Sequence, residues 1–234
     1  MSPLFSMKSI SIVIPVLDDA PALSRLLDDL DGIGAIDAER IVVDGGSADG
    51  SYALAQRRAD VALRSQRGRA RQLIAGIAAA QGTWIWMLHA DSRVDAAAWR
   101  ALNDAVAQAG AAWGRFDVRL DDDRPVFRMI ERMMNLRSRW SGICTGDQGI
   151  FVRRDVLELI DGLPDQPLME DIELTKRLRR YAKPVCLAVR LRASARRWQQ
   201  RGVVSTIALM WRLRLQYFFG ASPDALERVY YGGR

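Results

Sequence analysis

The stretch WIWMLHADSRVD, residues 84–95, runs from bulky apolar side chains straight into His89 and Asp91, with Asp95 closing it. An unbroken apolar strand has no solvated face, so it belongs in a sheet covered on both sides. In open α/β sheets, ligands collect beyond the carboxyl ends of the strands. A strand beginning at Trp84 therefore carries His89 and Asp91 to the place where a site is expected.

The pattern repeats upstream. SISIVIPV (9–16) precedes a helical pattern over 20–31, RIVVDGGS (40–47) one over 49–59, and DVALRS (60–65) one over 67–81. Alternating strands and helices imply parallel pairing and an α/β sandwich. The second half is less regular. WGRFDVRLD (113–121), QGIFVRR (148–154) and KPVCLAVRL (183–191) read as strands, residues 124–140 as an amphipathic helix, and DIELTKRLRRY (171–181) as a helix. No Gly/Ser-rich or Pro-rich linker, repeat or low-complexity run divides the chain, so residues 1–234 are expected to form one domain.

Composition sets outer bounds. With 234 residues and 49% hydrophobic content the chain can bury a sizeable core. Its 34 Lys and Arg against 28 Asp and Glu leave a net charge of +6, mostly through arginine, a residue suited to bidentate grip on phosphate or carboxylate. Cys144 and Cys186 have no CxxC spacing and read as buried thiols. The N-terminal run has no basic leader or small-residue cleavage site, and no stretch reaches the roughly 18 apolar residues of a spanning helix. A cytoplasmic protein is expected, with membrane contact at most peripheral.

Several polar clusters ask for chemistry. Asp44 ends the second strand in VVDGGSADGS, level with Pro15 and Asp18 at the end of the first, and Asp49 is placed to cap the next helix. A calcium loop is excluded, because Ala55 stands where its bidentate Glu belongs. Arg67, Arg69 and Arg71 surround Gly68 at a helix start, where the dipole prefers acids, so an external phosphate is called for. Arg71 is the better candidate. Arg69 reads equally well as part of a solvated basic face. His89 and Asp91, two apart on an extended segment, would face one side, as two ligands of one magnesium or manganese ion would. Glu170 and Asp171 in PLMEDIEL open a helix, either capping it or serving as a general base. Arg196, Arg197 and Trp198 offer cations and an aromatic plane for phosphate and a stacked ring.

Taken in order, SIVIPVLDD, IVVDGGSADGS, RGRARQLIAGIAAAQG, LHADS, GDQGIFVRRD, MEDIEL and RRW resemble the family 2 glycosyltransferases of the GT-A fold, over roughly residues 9–200. The resemblance implies a three-layer α/β/α fold with a central, mostly parallel sheet. Residues 9–120 would mainly bind the donor nucleotide, 121–200 would supply the acceptor and catalytic part, and 201–234 would be a C-terminal helical segment. It implies a nucleotide-diphospho-sugar donor, a uridine one by family habit, with Pro15, Asp18 and Asp44 near base and ribose and Arg71 near the nucleotide. HAD stands at the DxD metal motif, so Asp91, with His89 in place of the first acid, would ligate Mn or Mg. MED stands at the catalytic acid, making Asp171 the base and Glu170 its neighbour. SARRW resembles QxxRW, with Ser194 replacing Gln and with Arg197 and Trp198 matching. Gly146, Asp147 and Gln148 would line the acceptor pocket. The acceptor hydroxyl is unknown, with a lipid-linked one among the options.

Three rivals are weighed. A nucleotidyltransferase would need a Gly-rich triphosphate loop after the first strand, and PVLDDAPALS has none. A non-catalytic nucleotide-sugar binder or membrane-docked partner protein would explain His89 and Ser194. Nucleic acid is not expected, since few aromatics interleave the arginines. The tail from Val203 to Tyr231 carries IALMWRLRLQYFFG, suited to a membrane interface, a homodimer contact or packing on the domain.

Overall fold

The computed structural model describes residues 9–232, apart from the side chains of Ile36, Arg197 and Tyr231. Strands β1 (Ile10–Val16), β2 (Ala38–Asp44), β3 (Val61–Arg64), β4 (Trp84–Met87), β5 (Trp113–Leu120), β6 (Phe151–Arg153) and β7 (Val185–Ala193) form one sheet, ordered β3-β2-β1-β4-β6-β5-β7. Only β6 runs against its neighbours; every other adjacent pair is parallel.

The helices cover both faces, and the strands show why. Along β1 the side chains of Ile10, Ile12 and Ile14 join Leu23, Leu26 and Leu27 of α1 (Ala20–Gly32) in one cluster, together with α4 (Ala96–Ala107). Val13 points the other way, into a second cluster with Leu73 of α3 (Arg69–Ala79), Val156 of α6 (Arg154–Leu159) and Leu174 of α7 (Glu170–Tyr181). Both faces of β1 are buried, as its continuous apolar run requires. Helix α3 lies so close to the sheet that a Cβ on Gly76 would overlap Val13, which is why the helix tolerates glycine there.

The helices expected at 67–81, 124–140 and 171–181 form as α3, α5 (Pro125–Ser141) and α7. The segment 49–59 yields the shorter α2 (Ser51–Arg58), whose N-cap is Gly50 rather than Asp49. Asp49 instead accepts from Ser51 N–H at 3.0 Å and from Ala20 N–H at 2.7 Å, tying α2 to α1. Both cysteines are free, with Cys144 buried.

The tail forms α8 (Arg196–Arg201), α9 (Val203–Phe218) and α10 (Pro223–Tyr231). It packs back on the sheet-bearing part: Leu213, Leu226 and Tyr230 cluster with Leu168, Met169 and Ile172 around the start of α7. Tyr217 donates its hydroxyl to Glu173 at 3.0 Å. Among the described residues no helix is long and apolar enough to cross a membrane.

Candidate active site

The carboxyl ends of β1, β2 and β4 meet on one edge of the sheet, and the polar residues there first serve to hold that edge together. Asp44 is fully buried, and its carboxylate accepts from Gly46 N–H at 3.0 Å and Ser47 N–H at 3.1 Å. Its oxygens shape the glycine turn that follows β2. Pro15 is likewise buried inside β1. Asp18 is exposed, in left-handed backbone at φ 49°, and accepts from Ala48 N–H at 2.8 Å while its own N–H donates to Ser47 Oγ at 2.9 Å. These bonds latch the loops after β1 and β2 together.

Gln72, within RGRARQLIAGIAAAQG but given no role from the sequence, completes this edge. Its buried Nε2 donates to the carbonyls of Val16 at 2.8 Å and Val43 at 2.9 Å, the ends of β1 and β2. The only signal was an amide one turn into an amphipathic helix, on its apolar side.

Arg69 and Arg71 part ways at the start of α3. Arg71 is half exposed, with weak contacts to Asp165 at 3.4 Å and Gln66 at 3.0 Å. Arg69 turns inward and pairs with the buried Glu170, with Asp171 Oδ2 at 3.9 Å. Burial works to lower the Arg69 pKa, but the charges of Glu170 and Asp171 outweigh it and raise the value. Arg69 is therefore no solvated face; it is the counter-ion of the acid pair.

Met169 precedes that pair in left-handed backbone at φ 65°, a conformation costly for a long side chain, and so turns the chain sharply into α7. Asp171 then sits in the first helical turn, where the dipole favours an anion. Its Oδ2 accepts from Gly146 N–H at 2.9 Å and its Oδ1 from Ile172 N–H at 2.7 Å. Each oxygen keeps lone-pair capacity beyond these bonds. Asp171, Glu170, Arg69, His89 and Gly146 line one cleft of about 320 Å³.

His89 and Asp91 border different clefts. The strand ends at Met87, and Ser92 N–H closes a turn on His89 C=O at 3.0 Å, so the two lie on a turn rather than on an extended strand. His89 Nδ1 lies 3.2 Å from Asp147 Oδ1, while its Nε2 packs on Gly146 so closely that a Cβ there would overlap it. Both ring nitrogens of His89 thus face protein groups. Asp91 lines a second cleft, of about 550 Å³, with Arg25, Arg93, Asp121, Arg192, Ser194 and Arg196. Asp44, Asp91 and Asp171 thus do not surround one hollow; Asp91 and Asp171 line separate clefts, and His89 lines the one with Asp171.

Among the described residues no three His, Cys, Asp or Glu side chains gather around a point. A single carboxylate still fits an ion that takes most of its ligands from phosphate and water. Burial raises the Asp91 pKa; His89 and Arg196, the latter at 3.9 Å, counter this only in part, and Asp147 and Asp19 add to it. A carboxylate so short of compensating charge is chemically suited to a divalent cation.

Of the remaining expected residues, Gln148 is fully buried and spends its amide on Ser138 Oγ at 3.0 Å and Thr145 N–H at 3.3 Å. It holds the GDQ turn and does not line a pocket; of that triplet only Gly146 borders the first cleft. Arg196 pairs with Asp19. Half-buried Trp198 packs against the cluster of Val118 and Phe127, so core packing accounts for its ring. The Arg197 side chain lies outside the described residues.

Comparison with known proteins agrees with this architecture. Residues 11–160, more than half of the chain, match the family Glycosyl transferase family 2. Staphylococcus aureus TarS (residues 1–349) superposes with a TM-score of 0.66 at 16% identity, over 80% of this chain and 60% of that one. The mannosyltransferase PcManGT from Pyrobaculum calidifontis, in complex with GDP-Man and Mn2+, gives 0.63 at 20% identity, over 88% and 60%. Glucosyl-3-phosphoglycerate synthase from Mycobacterium tuberculosis, in complex with Mn2+, UDP and glucosyl-3-phosphoglycerate, gives 0.58 at 18%, over 79% and 70%. The chain spans about 60% of the length of the first two, and at these identities the likeness is one of fold. No curated protein sequence matches it. The sheet is the mostly parallel GT-A arrangement, and the chain belongs to glycosyl transferase family 2.

Proposed function

We propose that the protein is an inverting glycosyltransferase, moving a sugar from a nucleotide-diphospho-sugar, uridine first among the bases, to an acceptor hydroxyl with Asp171 as general base. One observation carries this reading: a carboxylate at a helix start, fixed by Gly146 N–H at 2.9 Å, borders a cleft and stands beside the Arg69–Glu170 pair. Glu170 absorbs the Arg69 charge, which leaves Asp171 free to take a proton. An acceptor hydroxyl is a weak nucleophile until that proton leaves, and a positioned base is worth about 10²- to 10⁴-fold. Attack from the face opposite the diphosphate inverts the anomeric carbon.

Asp91 would hold the divalent ion, Mn or Mg, together with the donor phosphates; when bound, such an ion stabilises charge growing on the diphosphate. His89 then serves by orienting Asp147. Asp18 and the latched loops after β1 and β2 would face the nucleotide, with Arg71 at their margin. In this division 9–120 binds the donor, 121–200 completes catalysis, and the C-terminal helices pack on the same single domain through Leu213, Leu226 and Tyr230. The free thiols of Cys144 and Cys186 suit a reducing, cytoplasmic setting.

Replacing Asp171→Asn keeps the size of the side chain and removes the base. Nucleotide-sugar binding should persist while turnover falls by about 10²-fold or more. Unchanged turnover would take Asp171 out of the role, and a wild-type chain that binds donor without turnover would favour the non-catalytic alternative.

A further inference from the structure

Two arginines within electrostatic reach of Asp171 have no carboxylate at ion-pairing distance among the described residues. Arg137, on α5, donates only from Nη1 to Ile143 C=O at 3.4 Å, and its Nη2 is buried without a partner. Arg214, on α9, makes no hydrogen bond or ion pair among the described residues, and no carboxylate lies within 4.0 Å of either guanidinium. Burial pushes the Arg137 pKa down to about 10, with the charge of Arg214 adding to the effect. Burial also lowers the Arg214 pKa, against the pull of Asp171 and Asp147. The two cations thus stand near each other and near the proposed base.

Asp171 does not neutralise them, since its oxygens accept from Gly146 and Ile172 and its nearest guanidinium is that of Arg69 at 3.9 Å. Nor is the placement an accident of a loose tail. Leu213, next to Arg214, is buried in one cluster with Met169 and Ile172, which flank the acid pair, and with Ile143, whose carbonyl Arg137 touches. A buried guanidinium nitrogen without a partner, as on Arg137, beside a second arginine that makes no ion pair among the described residues, costs stability unless something supplies the charge. A guanidinium fork matches the oxygens of phosphate.

We infer that Arg137 and Arg214 form a subsite for a phosphate group carried by the acceptor, placed so that its hydroxyl lies beside Asp171. This rests on the reading of Asp171 as the base. The opposite cleft, where Arg196 faces Asp91 and Asp19, is left to the donor diphosphate.

The test titrates the full chain with glycerol 3-phosphate and with glycerol, in the presence of uridine or guanosine diphosphate, comparing wild type with Arg137→Gln and Arg214→Gln. Glycerol 3-phosphate should bind and glycerol should not, each glutamine should weaken the phosphate probe about tenfold or more, and nucleotide affinity should stay within about twofold. Should a glutamine variant fail to fold, Arg137→Lys and Arg214→Lys keep the charge and should retain part of the affinity. Equal binding of the phosphate probe by wild type and variants would overturn the inference. So would weakened nucleotide binding with the probe unaffected, which would hand the pair to the donor. Loss of donor turnover in Asp171→Asn is read separately, so failure of the subsite and failure of the transfer reading give different patterns.

Discussion

Gly146 and His89 meet on the wall of the first cleft, and their contact is tighter than any added atom allows. The Gly146 N–H also holds Asp171, so a shift of this residue moves the proposed base. Gly146→Ala should therefore lower kcat/KM by about tenfold or more, and His89→Ala in the same chain should restore much of it by vacating the space. The coupling between the two changes should fall at about 0.5–3 kcal/mol, the range for residues in contact. Additive effects in a double-mutant cycle would show that the packing of His89 on Gly146 does not control the site. At this scale the motif residues were legible while their partners were not. Asp171 and Glu170 could be picked out as adjacent acids at a helix start, but the Arg69 that serves them lies about a hundred positions away, and a helix-start arginine looks solvated until the fold turns it inward. Asp44 and Gln148 read as ligand contacts because short polar signatures do not reveal whether a side chain faces a guest or its own backbone; both face backbone.

Two helices present apolar faces that their own packing does not explain. On α5, Met129, Met133, Leu136 and Trp140 follow helical spacing and stay exposed, Trp140 at 92%. On α9, Val204, Trp211, Leu215 and Phe218 do the same, Phe218 at 80%. Exposed Arg132, Arg139 and Arg212 accompany these stripes, and the chain is basic overall. Apolar stripes edged with arginine match an anionic bilayer surface, which would bring a lipid-linked acceptor to the side of the molecule where Arg137 and Arg214 stand. The chain should float with phosphatidylglycerol-containing vesicles at low salt, and Trp211→Ser with Phe218→Ser should reduce the bound fraction several-fold. A chain that ignores such vesicles would set lipid docking aside in favour of a second copy on these faces, to be seen as a dimer in solution. The strands and long helices were legible from period and turn residues, because burial on both faces of β1 and β4 leaves an uninterrupted apolar run. The turn after β4 was not. Two residues past a strand, the extended spacing that would align His89 with Asp91 no longer applies, and a backbone bond from Ser92 decides the outcome.

Over the whole molecule, one sheet edge gathers two clefts of opposite character: a base with its arginine-locked neighbour in one, and an undercompensated carboxylate among arginines in the other. The fold class was legible in the sequence because repeated βα order admits few topologies. The position of the acids was legible only to the edge of the sheet, since the cleft each one enters depends on loop turns and on where the tail helices pack, which helical spacing alone does not give. The most direct measurement is release of nucleoside diphosphate from a panel of nucleotide sugars, with and without manganese, by wild type and Asp171→Asn. The account predicts that one donor is consumed selectively, that manganese accelerates it, and that the variant binds that donor but turns it over about 10²-fold more slowly or worse. Wild-type protein that neither binds nor consumes any donor in the panel would contradict it.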